Sequence, residues 1–263
     1  MSTVVFVGAG RITSAMLAGL RLLKSKHCFV IHDRNLTGLR ETGRRYAVAI
    51  EADLKKAVAR ADMLIIAVRP GSVRELLAAI ELVQRPLLGI SLAAGVPLRV
   101  LKKLLGPPVR WARAMPSPVC RSGRGLTAVT FSEGLPSQDR KRTRDLFASF
   151  GPVVEIPESR FDAFTVVYSC SHGYHALATL AKAGQAAGLD RQTALVAASH
   201  ALADGIVAWR EGERSLEWLL KEATTPGGIS AATIKGMDAA GYGRAVRTGV
   251  RAGLARARAN ARK

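Results

Sequence analysis

The sequence predicts two architectures in series. Residues 1–157 form an α/β domain, a doubly wound parallel sheet, and residues 158–263 form an all-α domain. Three observations predict this. Fully apolar runs such as Met63-Leu64-Ile65-Ile66-Ala67-Val68 are the signature of strands buried on both faces. Such runs alternate with stretches of helical period, which implies a parallel sheet covered by helices on both sides. After Pro157 no strand run appears, and the chain becomes Ala-rich and helical in period.

Element by element, a strand over 4–7 leads into a helix over 13–23, whose apolar positions Ala15, Met16, Ala18, Gly19, Leu20 and Leu22 face inward. Strand 29–32, helix 36–44, a short strand near 47–50 and helix 54–59 follow. The buried run 63–68 ends at Pro70, and helix 73–80, strand 87–92, helix 98–105 and strand 109–114 continue the alternation. Strand 125–130, helix 138–150 and strand 153–156 complete the domain. Helical stretches are expected over 162–187, 194–209, 215–222 and 230–240, with a final helix to about 259.

The 263 residues suffice for one or two domains with a large core. No run of about 18 uncharged apolar residues is present, so no membrane span is expected. The chain starts directly on a strand, without the features of a secretion signal, and a cytoplasmic location is expected. Cys28, Cys120 and Cys170 are scattered and read as reduced thiols, and no metal site is expected. The net charge of +19 would attract phosphates, but Lys and Arg are spread along the chain with no nucleic-acid motif. Nucleic acid is therefore not expected as a partner. The densest basic stretch, 244–263, reads as a solvated helix face and frayed tail.

The loop Gly8-Ala9-Gly10-Arg11-Ile12-Thr13 follows the first strand and opens the first helix. Gly8 permits a tight turn, and Gly10 lets the backbone approach a pyrophosphate seated on the helix N-terminus. Thr13 replaces the third glycine of this Rossmann-type fingerprint. The second strand ends in His32-Asp33-Arg34-Asn35, where an acidic residue usually holds the ribose of NAD and an arginine favours the 2′-phosphate of NADP. Both are present. Arg34 and Asn35 tilt the reading to NADP with NAD possible, while Asn35 could instead cap the next helix. Three further loops fall at carboxyl ends of strands and read as a cofactor rim. They carry Ala67, Val68, Arg69 and Pro70; Ala93; and Met115 and Pro116. In the helical half, Thr224-Thr225-Pro226-Gly227-Gly228-Ile229-Ser230 precedes an Ala-rich helix. Its free N–H groups would make an anion site, unless it is a plain helix–helix loop.

The ordered series GAG, AVRP, SLAAGV, RAMP, DAFT and TTPGG resembles pyrroline-5-carboxylate reductase nearly end to end. The resemblance implies an NAD(P)H-dependent oxidoreductase of amino-acid (proline) biosynthesis. It would reduce the C=N bond of a cyclic imine, in the first place pyrroline-5-carboxylate, to a secondary amine. It implies a helical dimerisation domain and a homodimer or higher homo-oligomer. It also implies that the substrate carboxylate is held at Thr225, Gly227, Gly228, Ile229 and Ser230, with the Ser230 hydroxyl near the imine nitrogen. Departures cluster on the substrate side. The family's GSGPAY segment is Ser169-Cys170-Ser171-His172-Gly173-Tyr174 here, retaining only Tyr174, and the first threonine of its closing pair is Ile229. His172, Tyr174 and Ser230 are the candidate catalytic residues, although a histidine near a helix start also serves as a capping or packing residue. Two other readings stay open: an imine or carbonyl reductase of the same fold with another substrate, and a cofactor-binding, non-catalytic paralogue.

Overall fold

The computed structural model describes residues 2–262. An eight-stranded sheet forms from β1 (Thr3–Val7), β2 (Cys28–His32), β3 (Ala49–Ile50), β4 (Met63–Ile66), β5 (Leu87–Ser91), β6 (Val109–Pro116), β7 (Thr127–Phe131) and β8 (Val153–Glu155). The strand order is β3-β2-β1-β4-β5-β6-β7-β8. Pairing is parallel throughout except between β6 and β7. The first six strands thus take the doubly wound Rossmann order, with the reversal between β1 and β4.

Alternation along the central strands builds one core on each face. Val4, Phe6, Met63 and Ile65 join the cluster beneath α1 (Arg11–Leu22), α2 (Leu36–Tyr46) and α6 (Ser137–Ala148). Val5, Val7, Leu64 and Ile66 join the cluster beneath α3 (Leu54–Arg60), α4 (Val73–Ile80) and α5 (Leu98–Leu104). Each fully buried aliphatic side chain contributes about 1.5–3 kcal/mol, so β1 and β4 are held from both sides. α1 starts two residues earlier than its apolar period suggests, because Gly10 serves as its N-cap. Gly19 lets α1 approach the 3-10 turn Pro118–Ser122, where a Cβ would stand 2.0 Å from the Cys120 carbonyl oxygen. Burial pushes the Cys120 thiol up to about 11, so it stays protonated.

The remaining helices are α7 (Glu158–Val167), α8 (Ser171–Ala186), α9 (Arg191–Glu211), α10 (Leu216–Ala223), α11 (Ile229–Ala239) and α12 (Tyr242–Arg262). The helical run expected over 162–187 is two helices, α7 and α8, broken at residues 168–170. The chain divides into two compact units. One holds the chain up to Tyr168 and again from Gly253; the other is Ser169–Ala252. The expected division at residue 157 falls at the end of β8, but α7 packs with the sheet. The basic tail is also not frayed within the described residues. α12 is helical to Arg262, Gly253 lies so close to Val166 that a Cβ would stand 2.7 Å from it, and Ala257 is buried. Lys263 lies outside the described residues.

In the second unit α8 and α9 form a hairpin. Gly188, at φ +101°, makes the turn, and the Asp190 carboxylate caps α9 by accepting from the N–H groups of Gln192 and Thr193. Within it only Ala181, Ala194 and Ala198 are buried apolar residues. Ile206, Trp209, Leu216, Trp218 and Leu220 are all exposed. No helix among the described residues is long and apolar enough to cross a membrane.

Candidate active site and cofactor cleft

The glycine loop sits at the switch point between β1 and β4. Gly8 holds φ +110°, and a Cβ there would come within 2.7 Å of the Ala67 carbonyl oxygen at the end of β4. Only glycine satisfies both demands. Gly10 has an ordinary φ of −77°, and a Cβ on it would meet nothing within 4 Å. Nothing in the chain itself requires glycine there; a ligand against the backbone would. Thr13, in place of the third glycine, is fully buried and donates its hydroxyl to the Gly8 carbonyl at 2.5 Å. It braces the turn by hydrogen bonding. α1 has no side-chain cap and no acidic residue in its first turn. Its first backward bond runs from Ser14 N–H to Gly10 C=O. The N–H groups of Arg11, Ile12 and Thr13 are therefore left for an anion.

Beside this loop lies a cleft of about 520 Å³ that brings together Gly8, Gly10, Asp33, Arg34, Asn35, Ala67, Val68 and Arg69. Leu54, Leu76 and Ala79 add an apolar wall, with Ser72 and Glu75 at its edge. These last five escaped sequence reading. The positions of Leu76 and Ala79, three apart on α4 just after the Arg69-Pro70-Gly71 loop, carried the available signal. Asp33 is more engaged than expected. One carboxylate oxygen accepts from Ala9 N–H at 2.7 Å and the other from Asn35 N–H at 2.8 Å. The residue ties the glycine loop to the end of β2. Asn35 lines the cleft and also caps α2, accepting from Gly38 N–H at 3.2 Å. Arg34 pairs with Glu75 at 3.5 Å.

Other predicted cofactor residues are placed differently. Ile12 packs against the core, and Pro70 opens the short 3-10 turn Pro70–Ser72. Ala93 is buried, its N–H donating to the Ser91 hydroxyl. Met115 and Pro116 end β6, opposite Ala128 and Thr127. None of these five lines the cleft. The loop after β5 is held by the end of α12. The Asn260 amide donates to the Ala94 carbonyl at 3.2 Å, and a Cβ on Gly95 would stand 2.4 Å from the Ala257 carbonyl oxygen. The arginine of the RAMP segment is an anchor. Arg113, with its side chain 2% exposed, reaches Asp162 at 2.5 Å and Glu158 at 3.4 Å, and its guanidinium lies 4.6 Å from the Phe161 ring centre. These contacts fix α7 to the sheet.

In the helical unit, His172 and Tyr174 lie in the first turn of α8, with Tyr174 exposed. Thr225-Pro226-Gly227-Gly228 forms a turn closed by Gly228 N–H to Thr225 C=O at 3.0 Å, with Gly227 at φ +77°. This matches a type II turn, with Pro and Gly at its two central positions. The Gly228 N–H, expected among the free donors, is spent inside the turn. Gly228 is the N-cap of α11 and gives it no side-chain cap, and Ala232 N–H makes the first backward bond to Gly228 C=O. The N–H groups of Ile229, Ser230 and Ala231 are the free ones, and the exposed Ser230 hydroxyl stands among them.

Residues 158–260 match the family model for pyrroline-5-carboxylate reductase dimerisation, and residues 3–95 match one described as NADP oxidoreductase, coenzyme F420-dependent. A pyrroline-5-carboxylate reductase from Synechocystis is 29% identical over 259 residues, covering 95% of each chain. Along nearly its whole length the chain is similar to pyrroline-5-carboxylate reductases, and its C-terminal part matches their dimerisation domain. Its fold is that of the 1-pyrroline-5-carboxylate reductase from Streptococcus pyogenes, at TM-score 0.91, 23% identity and 98% coverage of both chains. The Plasmodium falciparum pyrroline carboxylate reductase, solved with NADP bound, superposes at TM-score 0.88 and 20% identity, covering 99% of this chain and 98% of that one. Both halves of the reductase fold are thus present, the nucleotide-binding sheet and the helical dimerisation region.

Proposed function

We propose that the protein reduces pyrroline-5-carboxylate to proline with NADPH. The observation that carries this reading is the near-complete, mutual coverage of reductases of that name, with the glycine loop and its unpaired helix N-terminus intact. When bound, the reduced dinucleotide supplies the hydride. The chain's residues hold and orient. The N–H groups of Arg11, Ile12 and Thr13 take the pyrophosphate, and Leu54, Leu76 and Ala79 take the adenine. Arg34 takes the 2′-phosphate by charge-assisted hydrogen bonds. In the helical unit the free N–H groups of Ile229, Ser230 and Ala231 take the substrate carboxylate. The Ser230 hydroxyl supplies a proton contact to the imine nitrogen as it becomes an amine. The exposed apolar residues of that unit are the interface of a homodimer or higher homo-oligomer.

The altered segment Ser169–Tyr174 and the exposed Ile229, which has no hydroxyl to offer, favour a second reading in which the imine is a different one. The test is NADPH oxidation with pyrroline-5-carboxylate and with a panel of other cyclic imines. Saturable turnover with pyrroline-5-carboxylate is expected. Its absence at high enzyme concentration, with turnover of another imine, transfers the assignment to that substrate.

A further inference from the structure

We infer that Glu75 sets the cofactor preference of the cleft by competing with the adenosine 2′-phosphate for Arg34. The inference rests on the cofactor reading above and deepens it. The acidic residue at the end of β2 would ordinarily discriminate the ribose hydroxyl, but both oxygens of Asp33 already accept from Ala9 and Asn35 N–H groups. The Asn35 amide oxygen is likewise committed to Gly38. Each Asp33 oxygen keeps a lone pair for a ribose hydroxyl, so what distinguishes a 2′-phosphate at this rim is positive charge, carried by Arg34 and Arg69, and of the two Arg34 has a carboxylate facing it.

That carboxylate comes from another element. Glu75 projects from the first turn of α4 and lines the same cleft as Arg34. The two groups are 3.5 Å apart, with side chains 72% and 75% exposed. A pair this exposed is weak, shifting an equilibrium by no more than about fivefold. A phosphate dianion is a stronger, bidentate partner for a guanidinium and displaces the glutamate. Displaced, Glu75 remains near the phosphate as a like charge. NADPH binding therefore carries a penalty that NADH binding, with no phosphate at this position, does not.

The test is titration of NADPH and NADH against the full-length protein and its Glu75→Gln, Arg34→Ala and doubly substituted variants, following nicotinamide fluorescence. Glu75→Gln is expected to tighten NADPH by about three- to fivefold and to change NADH by less than about twofold. The gain should shrink as salt is raised, and it should be smaller when Arg34 is also replaced, because the competition is then gone and only the like-charge repulsion remains. Equal changes for both cofactors, or weaker NADPH binding in Glu75→Gln while NADH still binds, overturn the inference. Failure of the unsubstituted protein to bind either cofactor overturns the cofactor reading itself, and this inference with it.

Discussion

The two halves of the chain finish their cores differently. In the sheet half, β1 and β4 bury every side chain from Val4 to Val7 and from Met63 to Ile66. In the unit Ser169–Ala252 only three apolar residues, all alanines, are buried, while Trp209, Trp218 and Ile206 stand exposed. The sheet half completes its packing within a single chain; the other unit leaves apolar surface exposed, in a region that matches a dimerisation domain. The proposed cofactor cleft lies in the sheet half, so cofactor binding and oligomerisation should be separable by mutation.

The largest effect expected within the sheet half is at Arg113. Arg113→Ala leaves Glu158 and Asp162 without their cation and empties the space over Phe161. A loss of about 3–5 kcal/mol is expected, read by denaturant unfolding. A loss below about 1 kcal/mol would mean that α7 is held by something else. Next is Gly10→Asp. The open space at Gly10 lets the fold survive, while a carboxylate faces the incoming pyrophosphate. A loss of NADPH affinity of about a hundredfold or more, roughly 2.7 kcal/mol, is expected with little change in melting temperature. Unchanged affinity would remove the pyrophosphate from this loop.

On the other side of the comparison, Ile206→Asp should lower the oligomeric state, read by sedimentation, and leave NADPH binding within about twofold. Loss of cofactor binding together with the oligomer would join what the structure separates. Asn260→Ala removes one amide bond to the Ala94 carbonyl, costs about 1 kcal/mol of stability, and should loosen the loop after β5 without changing the oligomer. The smallest effect expected is shared by the halves. The Lys56 N–H holds the Asp53 carboxyl below its usual range, and the Thr193 hydroxyl does the same for Asp190. A depressed carboxyl stabilises above its unfolded pKa, and that stability is lost as pH falls through the acid range toward the lowered folded value. Asp53→Asn and Asp190→Asn should each flatten the acid limb of the stability curve. Steeper limbs would contradict the capping geometry.

What was legible in the sequence follows the range of the interactions. The buried strands, the glycine loop and the order of the motifs are local patterns, and the fold and the reductase resemblance follow from them. The role of Asp33 was not local, because its carboxylate answers an N–H twenty-four residues earlier. Glu75 carries no motif and matters only because folding sets it opposite Arg34. The basic stretch is a solvated helix face as read, its arginines exposed, but the tail is not frayed: its other contacts are single small residues, Gly253 and Ala257, whose packing shows only against Val166 and Gly95. The Gly-Gly turn was read as an open anion cradle. Its geometry spends one N–H on itself and moves the free ones along α11.

In the proposed function, hydride passes from a dinucleotide held on the Gly8–Thr13 loop to a cyclic imino acid. A single-turnover reaction with deuterium-labelled NADPH and pyrroline-5-carboxylate, analysed by mass spectrometry, tests it most directly. The account predicts proline carrying one deuterium, and no labelled proline from the Gly10→Asp variant. NADPH that binds but leaves pyrroline-5-carboxylate unlabelled and unreduced would contradict it.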